Sequence, residues 1–150
     1  MFNYYISIGS NIRPEIHIPE CINRLRREFK QLNISSVYET PPFGPAGDVN
    51  FWNLACCVKS ELSEKEIREK MHTIETDFGR EHRTQNKFAP RILDLDVLPK
   101  EGYQKQAFVM IPLAEINSRA TDPLSGKTFG ELAALLEEDA RSFKKIKISD

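Results

Sequence analysis

The chain has 150 residues and a net charge of −1, with 40% hydrophobic and 29% charged residues. These values predict one globular domain over residues 1–150 and give no reason to expect a nucleic-acid partner. No apolar run approaches the roughly 18 residues of a membrane helix, and the N-terminal residues do not have the pattern of a signal peptide. The three cysteines fit no metal-ligand spacing, so we expect reduced thiols in a cytoplasmic protein.

The first sixty residues predict three strands and one helix. Apolar runs of β-branched and aromatic type indicate the strands, and an apolar residue every three or four positions indicates the helix. Three prolines, which lack an amide donor, exclude regular structure from the segment before the third strand. In chain order we expect a strand over 4–8 that ends in a turn at 9–11, a helix over 19–32, a strand over 34–40, a loop over 41–48 and a strand over 51–59.

Two capping boxes organise the rest of the chain. Ser63 with Glu66, and Thr128 with Glu131, each predict the start of a helix. Gly79 ends the helix that begins after Ser63. In the helix that begins after Thr128, we expect four apolar side chains to face the core, namely Phe129, Leu132, Leu135 and Leu136. The remaining segments are a polar loop over 80–89, a strand over 93–98, an apolar segment over 108–111 that Pro112 ends, and a lysine-guarded edge strand within 143–148.

The order of these elements is β-α-β-β-α-β, followed by a further helix and strand. Two helices that cover one face of an antiparallel sheet form the ferredoxin-like arrangement. No repeat or linker divides the chain. The sequence therefore predicts an α+β protein with a ferredoxin-like antiparallel sheet and an additional C-terminal helix and strand.

Two carboxylates lie on one face of the strand over 93–98. Asp94 and Asp96 alternate with Leu95 and Val97, which places the carboxylates roughly 6–7 Å apart on the face opposite the apolar residues. Carboxylates this close repel each other unless a cation lies between them, and Mg²⁺ accepts such ligands together with phosphate and water oxygens. An acid pair next to a basic segment is typical of metal-assisted phosphoryl transfer, although each feature alone is also common on a solvated surface. The basic segment contains Arg80, His82, Arg83, Lys87 and Arg91.

Six motifs occur in order between residue 5 and about residue 117. They are Ile8-Gly9-Ser10-Asn11, the run from Ser35 to Gly44, Phe51-Trp52-Asn53-Leu54-Ala55, Ile74-Glu75 with Gly79-Arg80, the run from Ala89 to Asp96, and the run from Phe108 to Leu113. A chain with these motifs resembles the 6-hydroxymethyl-7,8-dihydropterin pyrophosphokinases of folate biosynthesis. The resemblance implies an enzyme that transfers pyrophosphate from its co-substrate ATP to the hydroxymethyl group of a dihydropterin and releases AMP. Its partners would be these small molecules, and we expect a monomer or a weak dimer.

The resemblance also implies roles for individual residues. Two Mg²⁺ ions would be held by Asp94 and Asp96, and the catalytic residues would be Arg83, Arg91, Asp94 and Asp96. Nucleotide contacts would come from Glu75, Arg80, Arg83, Lys87, Arg91 and Ile92. The pterin would lie in a slot whose aromatic faces suit a flat ring, formed by Thr40, Pro41, Pro42, Phe43, Phe51, Asn53 and Phe108. Phe51 and Phe108 could also be plain core residues.

One segment departs from the family pattern. Family members carry a longer excursion after the second aspartate, with a Pro-His pair and an arginine. Here only residues 98–107 intervene, without histidine, and Gln106 stands about where the arginine is expected. Lys100 or Lys105 could replace one lost cation. The alternative is a divergent paralogue that binds pterin or nucleotide with weak or no transfer. A third hypothesis is a nucleic-acid-binding or regulatory module. Such a module would carry alternating aromatic and basic residues along its central strands, and these strands lack that pattern.

Overall fold

A computed structural model describes residues 1–42, 49–79 and 92–148 of the chain. The strands within these ranges are β1 (Phe2–Ser10), β2 (Gln31–Ile34), β3 (Val37–Thr40), β4 (Phe51–Ser60), β5 (Asp94–Val97) and β6 (Lys144–Ile146). The helices are α1 (Pro14–Glu28), α2 (Glu64–Gly79), α3 (Ala107–Ile116) and α4 (Phe129–Ala134), with a short 3₁₀ turn over Tyr103–Lys105. The α+β class is confirmed. No helix in the described ranges is both long and apolar enough to cross a membrane.

The strands form one antiparallel sheet in the order β5-β1-β4-β3-β6, and β2 pairs with a separate stretch of β4. β1 is a central strand that pairs with β4 from Phe2 to Ser10 and with β5 from Ile6 to Gly9. The sequence predicted a turn at residues 9–11, which is wrong for Gly9 and Ser10. Both residues remain in the strand because β4 supplies hydrogen-bonding partners for its whole length.

Helices cover both faces of the sheet. On one face, α1 and α2 bury the alternating apolar residues of the central strands, including Ile6, Ile8 and Leu54. On the other face, α3 and α4 pack on Ala55 around Met110. The two apolar layers explain why alternation is weak in β4, since both of its faces are covered.

Helix α1 begins earlier and ends earlier than its apolar pattern predicted. It starts at Pro14, which suits a first helical turn because the missing amide has no intrahelical partner there. Pro19, predicted as the start, lies inside the helix. Leu32, predicted as its last residue, belongs to β2 and pairs with Val58, so strand pairing overrides the helical spacing of the apolar residues.

The predicted strand over 34–40 is two strands separated at two serines. The backbone N–H of Ser35 donates to the carbonyl of Ala55 at 2.9 Å, and the backbone N–H of Ala55 donates to Oγ of Ser35 at 2.9 Å. The serine hydroxyl thus replaces a backbone carbonyl in the ladder and lets the chain change direction before β3.

Both predicted capping boxes are confirmed, at the starts of α2 and α4, and so is the C-terminal edge strand, but two details differ from the prediction. Pro112 does not end the apolar segment, because α3 runs through it and buries Val109 and Leu113 against the sheet. Leu135, predicted inward, is 69% exposed because α4 ends at Ala134. The short strand β6 pairs with β3 and carries two lysines at the sheet edge, as predicted.

Candidate functional site

The site lies where β1 and β5 run side by side, on the sheet face that α3 covers. Asp94 pairs with Gly9 and Asp96 pairs with Ser7 in the antiparallel register. Leu95, between the two aspartates, is buried in the core on the opposite face. The aspartates are only half-buried, so the alternation of the strand brings both carboxylates to one cavity.

The cavity has a volume of about 220 Å³. It gathers residues that are far apart in sequence and that belong to β3, β4, β5 and α3. Two of the three phenylalanines predicted for the pterin slot, Phe51 and Phe108, are half-buried and line the cavity, and Phe108 also packs against the apolar core beneath it. Seven of the residues predicted from the family resemblance line it, namely Thr40, Pro41, Phe51, Asn53, Asp94, Asp96 and Phe108.

One wall of the cavity carries a buried amide. Nδ2 of Asn53 donates to Oγ1 of Thr40 at 2.7 Å, and both residues are at most 5% exposed. Gly9 lies directly against the same side chain, because a Cβ added there would stand 2.6 Å from Oδ1 of Asn53. The amide therefore depends on a hydroxyl partner on β3 and on the absence of a side chain on β1.

The carboxylate pair suits a small divalent cation that keeps much of its own coordination shell. In the described part of the chain, no cluster of three or more His, Cys, Asp or Glu residues could enclose a metal ion. Mg²⁺ fits two carboxylates, because it prefers oxygen ligands and commonly retains water and substrate phosphate oxygens. One positive group already lies beside the pair, since Nζ of Lys100 is 3.2 Å from Oδ2 of Asp96.

Other residues assigned by the resemblance lie away from the cavity lining. Glu75 of α2 accepts a hydrogen bond from the backbone N–H of Leu95 at 3.0 Å and so ties α2 to β5. Ile92 is buried in the core that α1 and α2 cover, and Pro42 is exposed beside the lining. Five further residues lie outside the described ranges, namely Phe43, Arg80, Arg83, Lys87 and Arg91. The ligand contacts of all these residues stay predictions.

Sequence reasoning did not assign several residues of the lining. Ser7 and Gly9 had a usable signal, because they are small residues that alternate with Ile6 and Ile8 along the strand and so share a face. The segment over 98–107 has no periodic pattern, and its side chains reach the cavity only through the folded connection between β5 and α3. The unassigned lining residues include Ser7, Gly9, Leu98, Tyr103 and Gln106. Lys100, which the sequence offered together with Lys105 as a replacement cation, also lines the cavity.

A buried tyrosine holds the connection between β5 and α3. Tyr103 is 1% exposed, and its hydroxyl donates to Oδ1 of Asp122 at 2.5 Å. Burial alone would raise the pKa of Asp122, but hydrogen bonds from the side chain of Ser125, from this hydroxyl, from the backbone of Leu124 and from Gln104 hold that pKa below its usual value. Burial, together with the adjacent carboxylate, raises the pKa of Tyr103. The tyrosine therefore remains a hydrogen-bond donor.

A second anchor joins two walls of the cavity. Glu115 of α3 accepts hydrogen bonds from the backbone N–H of Ser36 at 2.8 Å, from Oγ of Ser36 at 2.9 Å and from the hydroxyl of Tyr38 at 2.5 Å. Burial opposes ionisation, but these donors outweigh it and hold the pKa of Glu115 below its usual value. Because β3 carries Thr40 and α3 carries Phe108, this anchor sets the spacing of the two walls.

Comparisons with known proteins agree with the motifs. The family model described as 7,8-dihydro-6-hydroxymethylpterin-pyrophosphokinase (HPPK) matches residues 5–118. Three similar proteins are each named 2-amino-4-hydroxy-6-hydroxymethyldihydropteridine pyrophosphokinase. The protein from Aquifex aeolicus is 29% identical over 87% of this chain and 90% of its own length. The protein from Bacillus subtilis is 31% identical over 75% and 76%, and that from Methylorubrum extorquens is 29% identical over 91% and 95%.

Proposed function

The chain belongs to the 7,8-dihydro-6-hydroxymethylpterin-pyrophosphokinase family, and on that premise we propose that it transfers pyrophosphate from ATP to the hydroxymethyl group of a dihydropterin. The observation that carries this function is a cavity that joins an aromatic and amide-bearing wall to a pair of carboxylates. A flat ring with an amide-like edge suits the first part, and a charged transferring group suits the second. No observation favours a relative that binds these ligands without transfer.

The reaction needs positioning more than covalent chemistry. The hydroxymethyl oxygen attacks the β-phosphorus of ATP, the bond from that phosphorus to the oxygen of the α-phosphate breaks, AMP leaves, and the hydroxyl proton passes to solvent. Phe51 and Phe108 would stack on the pterin, and Asn53 with Thr40 would bind its polar edge. This pose would direct the hydroxymethyl group toward the two aspartates that line the same cavity.

The metal requirement follows from the carboxylate pair. Asp94 and Asp96 would hold Mg²⁺, which when bound neutralises phosphate charge and favours the ionised form of the attacking hydroxyl. Two such ions, as the family resemblance implies, are part of the proposal. Arg83 and Arg91 would serve as catalytic cations, and the nucleotide would also be held by Glu75, Arg80, Lys87 and Ile92.

The test is AMP release from ATP and 6-hydroxymethyl-7,8-dihydropterin in the presence of Mg²⁺. Asp94→Ala and Asp96→Ala should each abolish turnover while the far-UV circular dichroism spectrum stays unchanged, because half-exposed carboxylates contribute little to packing. Asp139→Ala is the matched control, since this carboxylate is exposed and does not line the cavity. Near-normal turnover in either variant of the pair would refute the metal assignment, and a wild-type chain that releases no AMP would refute the function.

We also propose the fold type, the domain organisation, the location and the oligomeric state of the chain. Counting β2 and β3 as one interrupted strand supports a ferredoxin-like core within a single domain over residues 1–150. The three cysteines are free thiols, which supports a cytoplasmic location. A monomer or weak dimer is the proposed state in solution.

A further inference from the structure

The cavity has a cationic residue that the family resemblance does not assign. Among the lining residues that the structure describes, Lys100 is the one with a positively charged side chain. Its Nζ lies 3.2 Å from Oδ2 of Asp96, so the ammonium group sits beside one of the two proposed metal ligands. Any triphosphate that enters the cavity brings further negative charge to the same place.

The backbone of this lysine is fixed while its side chain is not. On the strand side, the backbone N–H of Leu98 donates to the carbonyl of Tyr5 at 2.9 Å. On the helix side, the carbonyl of Lys100 accepts from the backbone N–H of Tyr103 at 3.1 Å, and Tyr103 is anchored by Asp122. The side chain of Lys100 is 60% exposed, and within the described residues its charged end is held by a solvated ion pair with Asp96.

From these contacts we propose that Lys100 is a phosphate-binding residue that exchanges partners during the reaction cycle. In the free protein it neutralises Asp96. When Asp96 binds a divalent cation, the cation neutralises part of the carboxylate charge and weakens the ion pair with Lys100. The phosphate oxygens of the nucleotide then bind the ammonium group of Lys100 more strongly than Asp96 does. This inference rests on the proposed function, because it takes the nucleotide triphosphate to be the ligand.

If Lys100 exchanges partners in this way, removing its side chain should strengthen the binding of a divalent cation and weaken the binding of the nucleotide. Lys100→Ala removes a cation that competes for Asp96, so Mn²⁺ alone, counted by electron paramagnetic resonance without nucleotide, should bind about fivefold more tightly. The same variant lacks a phosphate contact, so a non-hydrolysable ATP analogue with Mg²⁺ should bind about tenfold more weakly by calorimetry. A lysine that only stabilises the fold would not produce this opposed pair.

Two further variants complete the experiment. Lys100→Arg should keep both affinities within about threefold of wild type, since it retains a cation at the same place. The sequence left open whether Lys100 or Lys105 replaces the lost cation, but Lys105 is exposed and does not line the cavity, whereas Lys100 does. Lys105→Ala is therefore the matched control from the same connection, and it should change neither affinity.

An unchanged affinity for the ATP analogue in Lys100→Ala, or weaker or unchanged Mn²⁺ binding, would overturn the inference. AMP release by the wild-type chain is measured separately. If the wild type releases AMP but Lys100→Ala behaves like wild type in both titrations, the proposed function stands and this inference fails. If the wild type releases no AMP while the two affinities move in opposite directions, the function fails and the phosphate-binding role stands.

Discussion

Replacing Gly9 by alanine tests whether the buried amide of the cavity needs an empty space on β1. The backbone of Gly9 lies outside the left-handed region, so alanine is allowed there by conformation. The new Cβ would lie 2.6 Å from Oδ1 of Asn53, whereas ordinary contacts begin near 3.4 Å. The amide must therefore retreat by about 0.8 Å, the difference between these distances. Because Asn53 is 5% exposed and bonded to Thr40 at 2.7 Å, it cannot retreat without losing that bond.

The expected cost combines two effects. The lost hydrogen bond contributes about 1 kcal/mol, and overpacking adds about 1–2 kcal/mol. Gly9→Ala should thus lower the free energy of unfolding by about 2–3 kcal/mol, which corresponds to a fall in Tm of about 6–9 °C for a chain of this size. Since the displaced amide belongs to the proposed pterin wall, the Kd of the dihydropterin should rise about tenfold, while the Kd of an ATP analogue should stay within about twofold.

Urea unfolding followed by circular dichroism measures the stability, and isothermal titration measures the two affinities. Asn53→Ala provides the control, because it removes the obstructing amide. In that background, Gly9→Ala should cost less than about 0.5 kcal/mol, so the two substitutions should be strongly non-additive. Additive costs, or a Gly9→Ala variant with wild-type stability and pterin affinity, would refute the steric argument.

Three further predictions concern stability and reactivity. Asp122→Asn should lower the free energy of unfolding by about 2 kcal/mol near pH 7. The pKa of Asp122 is depressed in the folded state, so urea titrations should show the full stability difference between wild type and variant above about pH 4 and a smaller difference at lower pH. Burial raises the pKa of Cys21 to about 12 and also raises that of Cys56, so both thiols should resist a thiol reagent at pH 8 until urea unfolds the chain. Leu132→Ala should cost about 3 kcal/mol in thermal unfolding and Leu135→Ala less than about 0.5 kcal/mol, since these residues are 5% and 69% exposed.

The parts of the fold that follow from short-range patterns were predictable from the sequence. The alternation around Asp94 and Asp96 determines which face the carboxylates occupy, because successive side chains of a strand point to opposite faces. The capping boxes at Ser63 and Thr128 act through bonds within four residues, so their helices begin where the pattern indicates. The motifs also determined the family, which the matching family model bears out.

Tertiary structure decided the elements whose local pattern allowed two outcomes. Leu32 fits a helical stripe and a strand equally well, and pairing with Val58 on β4 made it a strand residue. Pro112 lies inside α3 because burial of Val109 and Leu113 against the sheet offsets the missing backbone hydrogen bond.

The cavity also combines residues that the sequence could identify with residues that only the tertiary structure brings together. Thr40, Asn53 and Phe108 could be assigned from motifs, but Lys100 reaches the carboxylates only because Tyr103 anchors an irregular connection to Asp122. Such a connection has no repeating pattern to read, and its anchoring bond joins residues nineteen positions apart. Sequence periodicity reports which face a side chain occupies, whereas the distance between side chains on different elements depends on how those elements pack.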